Sequence, residues 1–527
     1  MKKFGYILMA AAFTSLAACS ELALDEVNKD INHAPDAEAK FVFADAGLST
    51  AYNVVGGDFN TYLGVATELW AGVHNQLYKA DQRTGEWISS SCFNNSWNSL
   101  YNTIKNCRVV VEKTDEKSDG VDSGNSALNA AAKVLLAYNA SVLTDLFGNA
   151  PYSQACDYDH FKTPDLDKQE DIYKDIFRLL DEAIDQLKAA VASSPVQNLG
   201  TGSFDLIYNG DSAKWLKFAY GLRARLTLHT ILKASNTDKA YDSILADLEN
   251  SFTSSEEQAQ IAVYDGISSQ NPLFGFCSSR EAIASSQSLY DKFAERNDPR
   301  MRLTYCWNWG AVFDPTDPEE GFEAVPNGEG IEVQWAYAED VFYYSIDAPT
   351  HLLSYAEVEF IKAEVLARKN RYDDARDALK TALAETFNYV NDAVKSAQKW
   401  PDEYGYGVYG PFYDGEYLSD EDIQAYVDNV FDPLADNKLL GEIMVQKYLS
   451  FRGANGGAIE AYNDIRRLKA EGKDYITLAN PKNASGKFPL RCGYGSSDTT
   501  TNPFVQNAFG DGSYVFTENV WWAGGNR

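Results

Sequence analysis

Apolar residues recur at helical spacing in four pairs of segments. Residues 94–113 carry Trp97, Leu100, Tyr101, Ile104 and Val111 near a 3.6-residue period. Residues 127–146 carry Ala131, Val134, Leu135, Tyr138, Val142 and Leu146 on one broad face, and the polar, glycine-containing stretch 114–124 reads as their exposed connector. The second pair spans 171–192, with Ile172, Ile176, Leu179, Leu180, Ala183, Ile184 and Leu187 in register, and 212–233, where Asp211 or Ser212 supplies an N-cap. In the third pair, 354–368 and 372–383, Lys369, Asn370 and Arg371 form the joint. Small residues at Ala363, Ala367, Ala375 and Ala378 permit the close antiparallel contact of a tetratricopeptide-like hairpin. The fourth pair, 440–451 and 458–469, turns through Gly453, Gly456 and Gly457. The pattern predicts a mainly α protein: a right-handed helical scaffold of four tetratricopeptide-like hairpins with long irregular, loop-rich insertions near 255–350 and 385–435. Trp97 and Tyr101, four residues apart on a helix face, belong to the core in this reading.

The N-terminus has a different pattern. Lys2 and Lys3 precede an apolar run over 6–16, shorter than the roughly 20 residues that span a bilayer, so it reads as a secretory signal. The string Leu16-Ala17-Ala18-Cys19 resembles the lipobox of bacterial lipoproteins, which implies removal of residues 1–18 and diacylation of Cys19. Several acyl chains would hold the protein stably at a membrane. A plain signal peptide with an incidental cysteine is the alternative. Residues 19–40 then form a lipidated flexible leader, and 41–527 a single domain. The acidic stretch from Ser20 to Glu26 resembles the export signal of surface lipoproteins in the Bacteroidota; an ordinary acidic linker explains it equally well.

Charge narrows the function. With 46 Lys and Arg against 76 Asp and Glu, the formal charge is −30, which argues against a nucleic-acid partner. An apolar fraction of 45% rules out a disordered chain. Cys92, Cys107, Cys156, Cys277, Cys306 and Cys492 include no CxxC pair, and in so large a chain they are expected as small buried hydrophobes. The five histidines, His33, His74, His160, His229 and His351, form no compact metal spacing, and no G-x-S-x-G or P-loop string occurs. No cofactor is expected and enzyme signatures are mostly absent, although 76 acids leave carboxylate pairs for glycoside hydrolysis open. The acidic stretch from Asp115 to Asp122 approaches a calcium loop but has Lys117 where an oxygen ligand is needed; calcium elsewhere stays open.

Candidate binding residues combine aromatic faces with amide donors, which suits the C–H faces and hydroxyls of sugars and also suits peptides. One group is Trp70, His74, Asn75 and Tyr78, followed by Trp87; for Trp70 and Tyr78 a place in the core beside the first hairpin is the competing reading. Another is Trp307, Asn308 and Trp309 in the first irregular insertion, with Trp335 behind the glycine-rich stretch Asn327-Gly328-Glu329-Gly330. The alternation of Tyr404, Tyr406 and Tyr409 with glycine marks a third stretch, suited equally to contact with a partner protein or to folding on itself.

Several strings together resemble the SusD/RagB-like nutrient-binding lipoproteins of the Bacteroidota outer membrane. They are Leu143-Thr144-Asp145-Leu146-Phe147-Gly148-Asn149-Ala150-Pro151-Tyr152, Lys214-Trp215-Leu216-Lys217-Phe218-Ala219 with Leu222-Arg223-Ala224-Arg225, and Asp298-Pro299-Arg300. The stretch from Leu353 to Glu364, Gln446-Lys447-Tyr448-Leu449, and the ending from Phe488 to Trp522 complete the order. The resemblance implies a lipid-anchored outer-membrane protein facing the cell exterior. In such families it lids a SusC-type TonB-dependent transporter and hands it oligosaccharides, or in some members oligopeptides. It also implies that these strings are mainly scaffold. A surface hydrolase on the same fold is the alternative from another class, marked by a buried pair of carboxylates in an aromatic cleft.

Overall fold

The computed structural model describes residues 37–56, 58–72, 87–280, 283–306, 323–327, 339–403, 417–453, 455–479 and 488–526. Helices dominate it. In chain order they include α1 (Ala39–Ser49), α2 (Asp58–Ala66), α3 (Asn94–Lys113), α4 (Ser126–Phe147), α5 (Gln169–Ala192), α6 (Ser212–His229) and α7 (Thr237–Glu249). There follow α8 (Pro272–Arg280), α9 (Gln287–Ala294), α10 (Met301–Thr304), α11 (Tyr355–Arg368), α12 (Tyr372–Glu403), α13 (Asp420–Val430), α14 (Asp436–Ser450) and α15 (Gly457–Ala470). Short antiparallel ladders tie distant segments together: β1 (Ala71–Gly72) with β5 (Ile283–Ala284), β2 (Ala150–Pro151) with β3 (Leu166–Asp167), β4 (Ala259–Ile261) with β8 (Thr350–Leu353), and β6 (Tyr305–Cys306) with β7 (Glu339–Asp340).

The first three expected hairpins form, and local chemistry explains their limits. Asn125 caps α4 by accepting from the Leu128 amide, Asp211 caps α6 through Ala213 and Lys214, and Ser354 caps α11 through Glu357. Helix α5 opens with Glu170 and Asp171 at its positive end and buries the stripe from Ile172 to Leu187. Between α11 and α12 the chain reverses at Asn370, whose φ of 59° suits an asparagine, and Ala363, Ala375 and Ala378 are buried in the helix contact. Helix α4 differs from its expected single face: nearly every residue is buried, because α3 and α5 pack on it from two sides. Its alanines let both neighbours approach, and Gly148, at φ 78°, ends it.

Other differences lie in the stretches read as irregular. Helix α12 continues well past 383, burying Phe387, Val390, Val394 and Ala397, and α13 starts in a capping box between Ser419 and Asp422. The 255–350 stretch contains α8, α9 and α10. The fourth pair is open: α15 packs chiefly on α2, and α14 on α11. The acidic connector after α3 has a structural role, since the Asp122 carboxylate accepts from the first amide of α1 at 2.7 Å.

Charged residues of the scaffold strings form a buried network between helices. Arg225 donates to both oxygens of Glu357 at 2.7 and 2.6 Å, and Arg467 donates to both oxygens of Glu364 at 2.6 and 2.9 Å. Lys447 pairs with Asp464 at 2.8 Å. His229 lies between Asp145 and Glu460 at 3.0 and 2.8 Å, and Asp145 also accepts from the Trp522 indole. Each charge meets an opposite charge, the condition for ions in an interior. Cys92, Cys107, Cys277 and Cys492 are buried as expected, whereas Cys156 is exposed.

Candidate functional site

The described ends of the aromatic candidate segments meet in one place. After α2 the chain turns through Glu68, a buried residue at φ 63°, and Trp70 lies across Gly64. A Cβ on Gly64 would stand 2.2 Å from the indole, so the helix needs glycine there. Strand β1 then pairs with β5, leaving the 73–86 segment to begin at Gly72. Val325, within the first insertion, bridges to Ser286, and Ala71, Ala284 and Val325 share a small apolar cluster. Asn327 fixes the same junction: its side-chain oxygen accepts from the Ser286 hydroxyl at 3.1 Å and from the Ser288 amide at 3.0 Å, at the start of α9.

The ladder of β6 with β7 forms a second root beside the first. Trp307, Asn308 and Trp309 directly follow β6, and Trp335 lies shortly before β7. Tyr305 packs on Tyr290 and Phe293 of α9, with ring centroids 5.6 and 6.3 Å away. Arg452, buried in the turn after α14, donates to the Asp340 carboxylate at 3.0 Å and to the Thr304 hydroxyl at 3.1 Å. It therefore bolts the start of one strand to the end of the other. Burial raises the Asp340 carboxyl above its ordinary value, opposed by the Arg452 charge and the Phe342 amide. Past β7, the Tyr343 ring meets Trp70 at 5.5 Å, joining the two roots. Arg302, on α10, donates to the Tyr417 carbonyl at 3.3 Å and to Asp422 at 3.1 Å, which ties α10 to the start of α13.

Of the candidate residues, Trp70 and Trp87 are described, and both are fully buried. Trp87 packs edge-on against Phe93 at 5.0 Å. Neither ring offers a face to solvent; Trp70 fills the base of the site, so for it the core reading is the one the packing matches. His74, Asn75, Tyr78, Trp307, Asn308, Trp309 and Trp335 lie outside the described residues, as do Tyr404, Tyr406 and Tyr409 and the lipidation candidate Cys19. The anchors Gly64, Asn327, Asp340 and Arg452 had not stood out as site residues in the sequence. Arg452 carries one signal there, a position next to the glycines of the fourth turn. Trp97 and Tyr101 pack together at 4.9 Å in the core as expected.

Among the described residues, the buried carboxylates of Asp145, Glu357, Glu364 and Glu460 lie in the helical body, in ion pairs: each is held by Arg225, His229, Arg368 or Arg467 between helices. What the site offers is a rigid base from which segments rich in aromatic and amide side chains depart. Stacking on apolar ligand faces with hydrogen bonds to polar groups is the chemistry such side chains perform, on sugars and peptides alike.

A family model described as starch-binding and associating with the outer membrane matches residues 45–494. A SusD/RagB family protein from Bacteroides thetaiotaomicron is 39% identical, with a TM-score of 0.83 over 93% of this chain and 99% of that one. A chitin-binding protein, 22% identical, has a TM-score of 0.67 over 91% of this chain and 100% of its own. A chitin-binding SusD homolog from Flavobacterium johnsoniae, 17% identical, has a TM-score of 0.66 over 92% of this chain and 98% of its own. These last two share the fold. Among curated proteins none matches the sequence.

Proposed function

The chain belongs to the SusD-like family of outer-membrane nutrient-binding proteins, and on that premise we propose that it captures oligosaccharides and delivers them to a SusC-type TonB-dependent transporter. The observation that carries this reading is the common root of the aromatic segments: Ala71, Ala284 and Val325 in one cluster, with Arg452 fastening β6 to β7 beside it. In this reading Trp307, Asn308, Trp309 and Trp335, with His74, Asn75 and Tyr78, meet the glycan. Cys19 carries the lipid that tethers the protein on the outer face of the membrane. The protein binds and hands over its ligand without chemical change.

Calorimetry against panels of glycans and peptides tests the proposal. Saturable heat from oligosaccharides, weakened about tenfold or more in a Trp307→Ala, Trp309→Ala double variant with unchanged melting temperature, is the expected result. Heat from peptides alone would reassign the ligand to oligopeptides, and turnover of any ligand would overturn a pure binding role.

A further inference from the structure

Away from the rooted segments, the fold carries an open cavity of about 320 Å³ with mixed polar and apolar walls. Its walls come from the β4–β8 ladder, the start of α11, the middle of α12 and the turn between α14 and α15. The size lies at the small end of ligand pockets.

Two features of the lining stand out. The first is charge. Glu256, Glu357, Glu385 and Asp392 line the cavity, and no lysine or arginine does; Glu357 is held from behind by Arg225. Asp392 is answered by Lys395 at 2.9 Å, but Glu256 and Glu385 make no ion pair among the described residues. Burial raises the Glu385 carboxyl, the Ser255 hydroxyl opposes that, and Asp392 adds to it.

The second feature is an unfilled donor. His351 is only 7% exposed and lines the cavity. Gln258 orients it: the Gln258 oxygen accepts from the Tyr355 amide at 3.2 Å, so its nitrogen is the group that faces His351 Nε2 at 3.4 Å. Nε2 must then accept, which places the ring proton on Nδ1. No hydrogen bond among the described residues engages Nδ1. Burial lowers the imidazole to about 4, so the ring is neutral at physiological pH. Tyr389 closes one wall, its ring 4.9 Å from His351.

We propose that this cavity is a second binding site, for a small primary amine that also carries a hydrogen-bond acceptor. The ammonium answers Glu385 and Glu256, an oxygen of the ligand accepts from His351 Nδ1, and the carbon face lies on Tyr389. An amino monosaccharide and the amino end of a dipeptide share this chemistry. A metal ion does not suit the site, since no three ligating side chains gather for one among the described residues. The site goes beyond the glycan-capture reading and stands or falls apart from it.

The test is calorimetry of the full chain with glucosamine and with glycylglycine, using glucose and N-acetylglucosamine as uncharged controls. Either amine should bind where both controls do not, and Glu385→Gln, which keeps shape and hydrogen-bonding capacity, should weaken it about tenfold or more. Which amine binds identifies the source of the ligand. Oligosaccharide binding and melting temperature should be unchanged in that variant. Absence of binding by both amines at millimolar concentration, equal binding by the controls, or undiminished binding by the Glu385→Gln variant overturns the proposal.

Discussion

At the scale of single residues, Arg452 governs the site without lying on its surface. Its guanidinium neutralises Asp340, holds Thr304 and lies 4.6 Å from the Phe293 ring centroid. Arg452→Met would leave a buried carboxylate without its partner, a loss on the order of 3–5 kcal/mol. Urea unfolding should record that loss, and adding Asp340→Asn should recover part of it. His229 supplies a pH signature. Burial alone would lower its pKa, but Glu460 and Asp145 outweigh burial and push it up to about 9 from an ordinary 6.5. A raised folded-state pKa means that the stabilisation is complete below about pH 6.5 and is lost as pH rises through about 9. Unfolding midpoints measured across that window should fall as pH rises, and His229→Gln should flatten the slope.

Among elements, the contact of α2 with the Trp70 ring is the tightest in the base of the site. Gly64→Ala should force the indole aside at a cost of about 1–3 kcal/mol, visible as a lower melting temperature and altered near-ultraviolet dichroism. Elements with one strong period were legible in the sequence. The stripe of α5 and the alanines between α11 and α12 announce both helix and partner. The rest of α12 was legible in principle, since Phe387, Val390 and Val394 keep the helical period, but aromatic and polar neighbours masked it. The box from Ser419 to Asp422 likewise marked α13. The ladders that root the site were not legible: two residues carry no periodicity, and β1 meets β5 across more than two hundred positions while β6 meets β7 across about thirty-five.

For the whole molecule, the strings that revealed the family are those that hold helices together, as Asp145, Arg225, Glu357, Lys447 and Trp522 show by their burial. Ligand chemistry escaped the same reading, because stacking residues follow no spacing and a tryptophan such as Trp70 shows its place in the core only through its packing. The proposed anchor has its own test. Cys19→Ser expressed in its native host should leave the membrane fraction and appear in soluble form, with glycan affinity of the purified protein unaltered. Loss of Lys2 and Lys3 with the signal segment takes the formal charge from −30 to −32, which favours the released body staying in solution.

The brevity of the ladders has a genetic consequence. The β1–β5 and β6–β7 pairings are two residues long, and the large apolar core lies in the helices behind them. Recombination with joints at Gly72 and Trp87, or at Cys306 and Glu339, exchanges a complete cassette while that core keeps its sequence. If those segments meet the ligand as proposed, exchanging them is expected to change what is bound while the melting temperature of the helical body holds.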